Sequence, residues 1–119
     1  MSDNPQNQLD PARDRHLREI AGYRVYFDWE DFLWDPDDWN EEIAIAMARE
    51  DGMDGLNDEQ WRVIRFIREF FQYQGRAPMN RDLKKGTGLS IMEMERMFAK
   101  GIKLGARRIA GLPNPKSCI

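Results

Sequence analysis

The side chain best suited to chemistry is the thiol of Cys118, the single cysteine of the 119-residue sequence. A thiolate is the nucleophilic form of cysteine, and neighbouring cations favour it. Four basic residues, Lys103, Arg107, Arg108 and Lys116, precede it in the sequence. An exposed thiol can exchange sulfur through a persulfide or a mixed disulfide. The residues alone leave two interpretations open: a sulfur-exchanging group, and a frayed terminus that happens to contain a cysteine.

The composition and the absence of known motifs disfavour most other kinds of site. One cysteine and one histidine, His16, cannot supply a zinc ligand set, and a single cysteine cannot form an internal disulfide. The sequence contains no phosphate-binding glycine loop, no HExxH motif and no Ser/His/Asp arrangement. We therefore expect neither a metal nor a cofactor.

The sequence also predicts a compartment. No apolar run approaches the length of a membrane span, and no signal-peptide pattern opens the chain. A reducing compartment keeps a lone cysteine free. We expect a cytoplasmic protein without a membrane partner.

Residues 111–119 are predicted to form an extended, flexible arm that carries the thiol. Pro113 and Pro115 each fix φ and lack an amide hydrogen, and they bias Leu112 and Asn114 toward extended conformations. Such an arm spans about 3.1 Å per residue, or on the order of 25 Å in all. It could carry Cys118 into the active site of another protein.

Upstream of the arm, residues 16–110 are predicted to form one α+β domain, preceded by a disordered polar leader at 1–15. The domain opens with three short runs that resemble strands, at 17–20, 23–27 and 32–34, and the second of them is rich in aromatic and β-branched residues. Turn residues separate these runs, which predicts a three-stranded antiparallel β-meander. A meander this small needs helices packed against one face.

A bundle of about five helices is predicted to supply that packing. Asn57 and Ser90 each precede a capping-box partner by three residues, and Asp38 stands in the same relation to Glu41. Gly75 favours a helix end. The predicted helices cover about 39–50, 58–74, 80–85, 91–99 and 103–109.

The third and fourth of these helices have the spacing of a helix-turn-helix motif around Gly86 and Gly88. A DNA-binding regulator is therefore one alternative function. The second helix of the pair carries Glu93 and Glu95, which are unfavourable beside phosphates, and it offers no set of base-reading side chains. Direct contact with nucleic acid is thus disfavoured.

Charge is unevenly distributed along the chain. Residues 1–60 have a net charge of −12, whereas residues 81–119 have a net charge of +6. A basic segment can steer an acidic partner. We expect Lys103, Arg107, Arg108 and Lys116 to contribute to such docking.

The C-terminal run Ala-Arg-Arg-Ile-Ala-Gly-Leu-Pro-Asn-Pro-Lys-Ser-Cys-Ile, at 106–119, closely resembles the signature of the DsrC/TusE sulfur-relay family. Residues 22–39, 39–50 and 56–71 are similar to the meander, first helix and long helix of that family. Pro78 and Arg81 match its Pro-x-x-Arg turn. The resemblance covers roughly residues 17–119.

The resemblance implies that Cys118 accepts sulfane sulfur as a persulfide from a sulfur-donor complex of the TusBCD/DsrEFH type. In TusE-type members the sulfur continues to the enzyme that thiolates the tRNA wobble uridine. DsrC-type members serve dissimilatory sulfite reductase and related complexes. On this basis the chain would be a sulfur carrier used by two partner enzymes, not a stand-alone enzyme.

One difference from the family pattern favours the TusE type over the DsrC type. DsrC proper has a second cysteine eleven residues before the last one, and Arg107 occupies that place here. This difference favours a TusE-like relay with a single thiol. The stretch between Arg81 and Phe98 is also shorter than usual. An accessory gamma subunit of a sulfite reductase or sulfur-oxidation complex remains an alternative, beside the helix-turn-helix regulator.

Overall fold

The computed structural model describes residues 10–115. Asp10 accepts a hydrogen bond from the Ala12 amide at 3.0 Å and so caps a single helical turn, α1 (Pro11–Asp14). Strand β1 begins at the next residue, Arg15. Positions 11–15 of the predicted leader therefore have regular structure, because Asp10 and Pro11 together favour a helix start. Residues 1–9 of that prediction lie outside the described residues.

The first two predicted strands are confirmed as an antiparallel hairpin. Strand β1 (Arg15–Ile20) pairs in register with β2 (Tyr23–Asp28), with Ile20 opposite Tyr23. The two turn residues, Ala21 and Gly22, both have positive φ, as a tight two-residue hairpin loop requires. The hairpin places Val25 and Phe27 in the core.

The predicted third strand is wrong: residues 32–34 make one isolated bridge, between Phe27 and Leu33. The side chain of Asp28 accepts hydrogen bonds from the Glu30 and Phe32 amides, which folds the chain into a tight turn. A 3₁₀ turn (Pro36–Asp38) then begins almost at once. Too few residues remain between the two turns for a strand, although Phe32 and Leu33 are buried as predicted.

Helix α2 (Glu41–Glu50) begins later than predicted. Its N-cap is Asn40, whose side chain accepts from the Ile43 amide at 2.9 Å, and not Asp38. Asp38 belongs to the preceding 3₁₀ turn, because Pro36 starts that turn at its first position.

The long helix α3 (Asp58–Gln74) has the predicted ends. Asn57 and Gln60 form a reciprocal capping box, and Gly75 closes the helix with φ of 72°. Val63, Ile64 and Ile67 are fully buried on the face that meets the other helices.

Two short helices follow, α4 (Asn80–Thr87) and α5 (Ile91–Met97). The predicted end of α4 at residue 85 is two residues too early. Gly88 ends α4 with φ of 73°, while Gly86 stays helical because its missing side chain makes room for the ring of Phe66. The predicted capping box at the start of α5 is present.

The last predicted helix is divided into a π-helical turn (Ile102–Ala106) and α6 (Arg107–Ile109). Together these elements give the expected α+β architecture, with a two-stranded sheet instead of a three-stranded one. None of the helices in the described range is long and apolar enough to cross a membrane. No group of three potential metal ligands occurs in residues 10–115.

Candidate functional site

The start of the predicted arm is held by a Schellman motif at the end of α6. The amide of Gly111 donates to the Arg108 carbonyl at 3.0 Å, and the amide of Leu112 donates to the Arg107 carbonyl at 3.2 Å. Gly111 has φ of 79°, and a Cβ atom there would lie 2.7 Å from Cγ of Trp39. Glycine is therefore required at this position both by the backbone and by the neighbouring ring.

Two side chains from distant parts of the chain fasten α6 to the domain. The indole of Trp39 donates to the Ile109 carbonyl at 2.7 Å. The guanidinium of Arg68 donates to the carbonyls of Ala110 (2.9 Å) and Pro36 (3.3 Å), and it lies 4.2 Å from the Trp39 ring centroid. Burial lowers the pKa of Arg68. These contacts fix the direction in which the arm leaves the helix.

The residues at 111–115, which we call the arm root, also contact the hairpin. Leu112 is 2% exposed and belongs to the core. The side-chain Nδ2 of Asn114 donates to Oδ2 of Asp28 at 2.9 Å and to Oε1 of Glu30 at 2.6 Å. Hydrogen bonds to carboxylates are stronger than those between neutral groups. The described part of the predicted arm thus lies against the domain, because its prolines alternate with residues that have partners there.

A cavity of about 190 Å³ lies beside the arm root. Its walls are mostly apolar, and two guanidinium groups, those of Arg76 and Arg107, contribute to them. The remaining lining residues are Phe71, Gly75, Ala77, Leu112, Pro113 and Pro115.

The predicted site residues occupy different environments. Cys118 and Lys116 lie outside the described residues. Lys103 is exposed on the π-helical turn, and no salt bridge among residues 10–115 includes it. Arg107 is half-buried; its Nη2 donates to the Pro78 carbonyl at 2.9 Å, and burial lowers its pKa.

Arg108, which the sequence predicts to contribute to partner docking, is buried. It is 4% exposed, and its Nη2 lies 2.5 Å from Oδ1 of Asp51. Its other nitrogens donate to the carbonyls of Leu104 (2.9 Å) and Asp31 (3.3 Å). The guanidinium of Arg108 therefore bonds to groups inside the domain, and the expectation that Arg108 docks a partner is not compatible with this buried position.

Sequence reasoning missed the residues that position the arm root, namely Trp39, Arg68 and Asn114. The contact of Trp39 with Ile109 spans 70 residues, and that of Asn114 with Asp28 spans 86. Helix periodicity and capping motifs carry no information at such separations. The Gly-Leu-Pro-Asn-Pro run was the one local signal, and it indicated an extended chain without revealing its partners.

Comparisons with family models, curated proteins and solved structures all find the same group of proteins. The family model described as "DsrC like protein" matches residues 19–119. The sulfurtransferase TusE of Salmonella choleraesuis is 35% identical over 107 residues, which is 84% of this chain and 97% of that protein. The gamma subunit of the dissimilatory-type sulfite reductase of Nitratidesulfovibrio vulgaris is 33% identical, over 77% of this chain and 88% of that protein.

A solved structure shares the fold. The oxidised gamma subunit of the dissimilatory sulfite reductase from Archaeoglobus fulgidus, DsrC, superposes with a TM-score of 0.74 at 33% identity. The match covers 87% of this chain and all of that one.

Proposed function

Because this chain belongs to the DsrC-like family, we propose that it is a sulfur carrier that accepts sulfane sulfur as a persulfide on Cys118 and passes it on. The relatedness to a sulfurtransferase TusE and the fold shared with a DsrC protein support this proposal. The observation that carries it is the attachment to the domain of the described segment that leads to the single thiol in the sequence. Cys118 follows Pro115 by three residues, and Pro115 ends a segment that is fixed to the domain by Trp39 and Asn114.

The chemistry consists of two displacements at sulfur. The Cys118 thiolate attacks the outer sulfur of a donor persulfide, the donor S–S bond breaks, and the donor leaves as a thiolate. An acceptor thiolate then attacks the outer sulfur on Cys118, and Cys118 leaves as a thiolate. Each step forms one S–S bond and breaks one, so the relay needs no external oxidant or reductant. The chain acts as a substrate of two partner enzymes.

The presence of one cysteine favours a relay of the TusE type. The second cysteine of DsrC-type proteins is replaced by Arg107, and a guanidinium cannot close a disulfide with Cys118. Sulfur must therefore be exchanged with other proteins. The proposed relay is cytoplasmic, its donor is a complex of the TusBCD/DsrEFH type, and its acceptor is a tRNA thiolase that forms 2-thiouridine.

An accessory role beside a dissimilatory sulfite reductase is the second candidate. The match to the gamma subunit from Nitratidesulfovibrio vulgaris favours it. The missing second cysteine weighs against it, because a cycle that closes an internal disulfide is impossible here.

Docking to either partner depends on cations that are still accessible. Arg108 is paired internally, so among the described residues Lys103 carries this part of the proposal, and Lys116 is a further candidate from the sequence alone. Lys103 is exposed next to α6. It can meet an acidic surface while the arm reaches the partner's sulfur.

Intact-mass analysis after incubation with a cysteine desulfurase and free cysteine tests the proposal. Wild-type protein should gain one sulfur atom, about 32 Da, and Cys118→Ser should gain none. In the same assay Lys103→Glu should load more slowly, with a larger effect at low salt, because rim charges act mainly on association. A wild type that never gains sulfur from this donor or from a sulfide-derived polysulfide refutes the carrier function.

A further inference from the structure

The hairpin has one edge that no other strand within residues 10–115 pairs with. Strand β1 pairs with β2 alone in the described part of the sheet. The other edge, on β2, is occupied. There the Trp34 amide donates to the Tyr26 carbonyl at 2.9 Å, and the Asp28 amide donates to a carbonyl in the following turn at the same distance. The unpaired edge of β1 is a template on which another strand can be added.

The register shows which backbone groups point toward that free edge. In an antiparallel pair, successive residues direct their N–H and C=O groups alternately toward the partner strand and away from it. Tyr26 and Asp28 direct groups away from β1, as their hydrogen bonds show. Their cross-strand partners, Leu17 and Arg15, therefore direct theirs away from β2, and Glu19 continues the alternation. Within the described part of the chain, these edge-directed groups have no hydrogen-bond partner.

The side chains of the same residues share the outer face of the hairpin, because alternate residues of a strand lie on one face. Leu17 is 42% exposed although it is apolar, and Glu19 is exposed as well. No salt bridge within residues 10–115 includes Arg15 or Glu19. The guanidinium of Arg15 lies 3.8 Å from the ring centroid of Tyr26, which leaves its charge without a carboxylate. The free edge thus presents a cation, an apolar residue and an anion at alternate positions.

A second copy of this chain has the complementary charges. When two β1 strands meet antiparallel with Leu17 opposite Leu17 of the second copy, Arg15 lies opposite Glu19 and Glu19 lies opposite Arg15. Cross-strand pairs of opposite charge stabilise a sheet, and the twofold symmetry makes this pair occur twice. The edge-directed N–H and C=O groups meet each other at every one of these positions. We propose that β1 is the contact surface of a homodimer in which two hairpins form one four-stranded antiparallel sheet.

The charges also select one register. A shift of one residue would bring edge-directed groups opposite groups that already bond to β2, so the ladder could not form. A shift of two residues in one direction pairs Leu17 with Glu19, and in the other direction it pairs Leu17 with Arg15. Either shift loses both ion pairs. The symmetric register is therefore the one that satisfies the backbone and the side chains together.

The core-side face of the same register brings His16 opposite Arg18 of the second copy. Arg18 is already paired within its own chain, at 2.6 Å with Glu50 and at 3.3 Å with Asp31. The ring of His16 is stacked on that of Trp29, with centroids 4.1 Å apart. Both side chains are held by their own chain, so the contact between copies depends on the outer face and the backbone.

Sedimentation equilibrium tests this surface on the full-length protein. An interface one strand wide lies at the small end of the size range, so the dissociation constant of the dimer should be on the order of 100 μM. Arg15→Glu places carboxylates opposite each other at both symmetric positions and should raise that constant by about tenfold or more. Glu19→Arg should do the same with guanidinium groups. Arg81→Glu, on the exposed face of α4, is the matched charge control and should leave the constant unchanged.

Two combinations of these variants test the pairing itself. The double variant Arg15→Glu/Glu19→Arg exchanges the charges and should dimerise like wild type. An equimolar mixture of Arg15→Glu and Glu19→Arg should form a heterodimer, because every cross-strand pair in it again has opposite charges. A wild type that stays monomeric at about 1 mM overturns the proposal and leaves the edge to a strand of another protein. A dimer that the charge reversals do not weaken overturns it too, because the copies then meet elsewhere.

A second measurement uses the wild type alone. The amide resonances of Arg15, Leu17 and Glu19 should shift with protein concentration, because these amides gain hydrogen bonds in the dimer. The amide of Arg18, which is directed toward β2, should shift less. Leu17→Lys brings two ammonium groups together on the symmetry axis and should abolish the concentration dependence. Amide shifts in β1 that do not depend on concentration overturn the proposal even if the charge variants fail to fold.

Discussion

Replacement of Arg108 by methionine should destabilise the fold rather than weaken binding to a partner. Arg108 and Asp51 form an ion pair at 2.5 Å, and their side chains are only 5% and 3% exposed. Arg108→Met keeps an unbranched apolar stem of similar length but removes every donor. Asp51 then keeps one cation, Lys100, at 3.5 Å, and that lysine is 56% exposed.

The size of the effect follows from the groups that lose partners. Removing one member of a buried pair costs about 3–5 kcal/mol, because the other charge stays buried. The carbonyls of Leu104 and Asp31 also lose their hydrogen bonds from Arg108. Lys100 can move toward Asp51 and offset part of the loss, so we expect about 3 kcal/mol. For a domain of this size, that corresponds to a decrease in Tm on the order of 10 °C.

A double-mutant cycle by urea unfolding measures the interaction. The single variants are Arg108→Met and Asp51→Asn, and the double variant removes both charges. The coupling free energy should be about 1–3 kcal/mol, with the double variant more stable than the sum of the single effects predicts. Lys103→Met is the matched control, because Lys103 is an exposed cation five residues away, and its effect should stay within about 0.5 kcal/mol.

Two results would refute this reasoning. A loss below about 1 kcal/mol for Arg108→Met would mean that the pair is solvated and worth no more than a surface salt bridge. Strict additivity in the cycle would mean that Arg108 and Asp51 do not interact. In either case Arg108 would return to the set of candidate docking residues.

Two further predictions concern α4 and α5. Gly86→Ala should destabilise the protein by about 1–3 kcal/mol, although alanine normally favours a helix, because the added Cβ overlaps the Phe66 ring. Gly55→Ala is the control, since the space around Gly55 is open, and it should be close to neutral in the same thermal melts. Equal changes in Tm for the two variants would contradict the clash. The pKa of Glu93 is lowered from its ordinary 4.5 by the hydrogen bond from the Ser90 amide and then by the hydrogen bond with the Ser90 side chain. The contribution of ionised Glu93 to the free energy of unfolding is therefore present above pH 4.5 and lost below it. The Tm of Glu93→Gln should therefore lie below that of wild type at pH 7 and converge with it as the pH falls to 3, whereas parallel curves would exclude this linkage.

Local signals predicted the ends of helices well. The capping boxes at Asn57 and Ser90 involve residues three apart, so the sequence contains both partners of each hydrogen bond. The hairpin is predictable for the same reason, since Ala21 and Gly22 occupy the turn between two runs of strand-forming residues. Each of these structures depends on contacts within one short segment, so the sequence of that segment is enough to predict it.

Predictions failed where a second local signal competed or where a partner was remote. Residues 32–34 have the composition of a strand, but Asp28 closes a turn just before them, and Pro36 starts another just after. Arg108 lies in a basic segment that suggested partner docking, yet it pairs within the domain with Asp51, 57 residues away. A contact between residues so far apart in the sequence is set by tertiary packing, and tertiary packing depends on the whole fold.

The neighbouring arginines of α6 show why a basic segment cannot be treated as one surface. Successive residues of a helix point about 100° apart, so Arg107 and Arg108 necessarily face different surroundings. Arg108 meets a buried carboxylate and becomes part of the structure, whereas Arg107 meets an apolar cavity beside Pro115. The first fixes the helix from which the arm leaves, and the second retains charge that no described carboxylate neutralises. A change at Arg108 should therefore destabilise the domain, whereas a change at Arg107 should leave the Arg108–Asp51 ion pair intact.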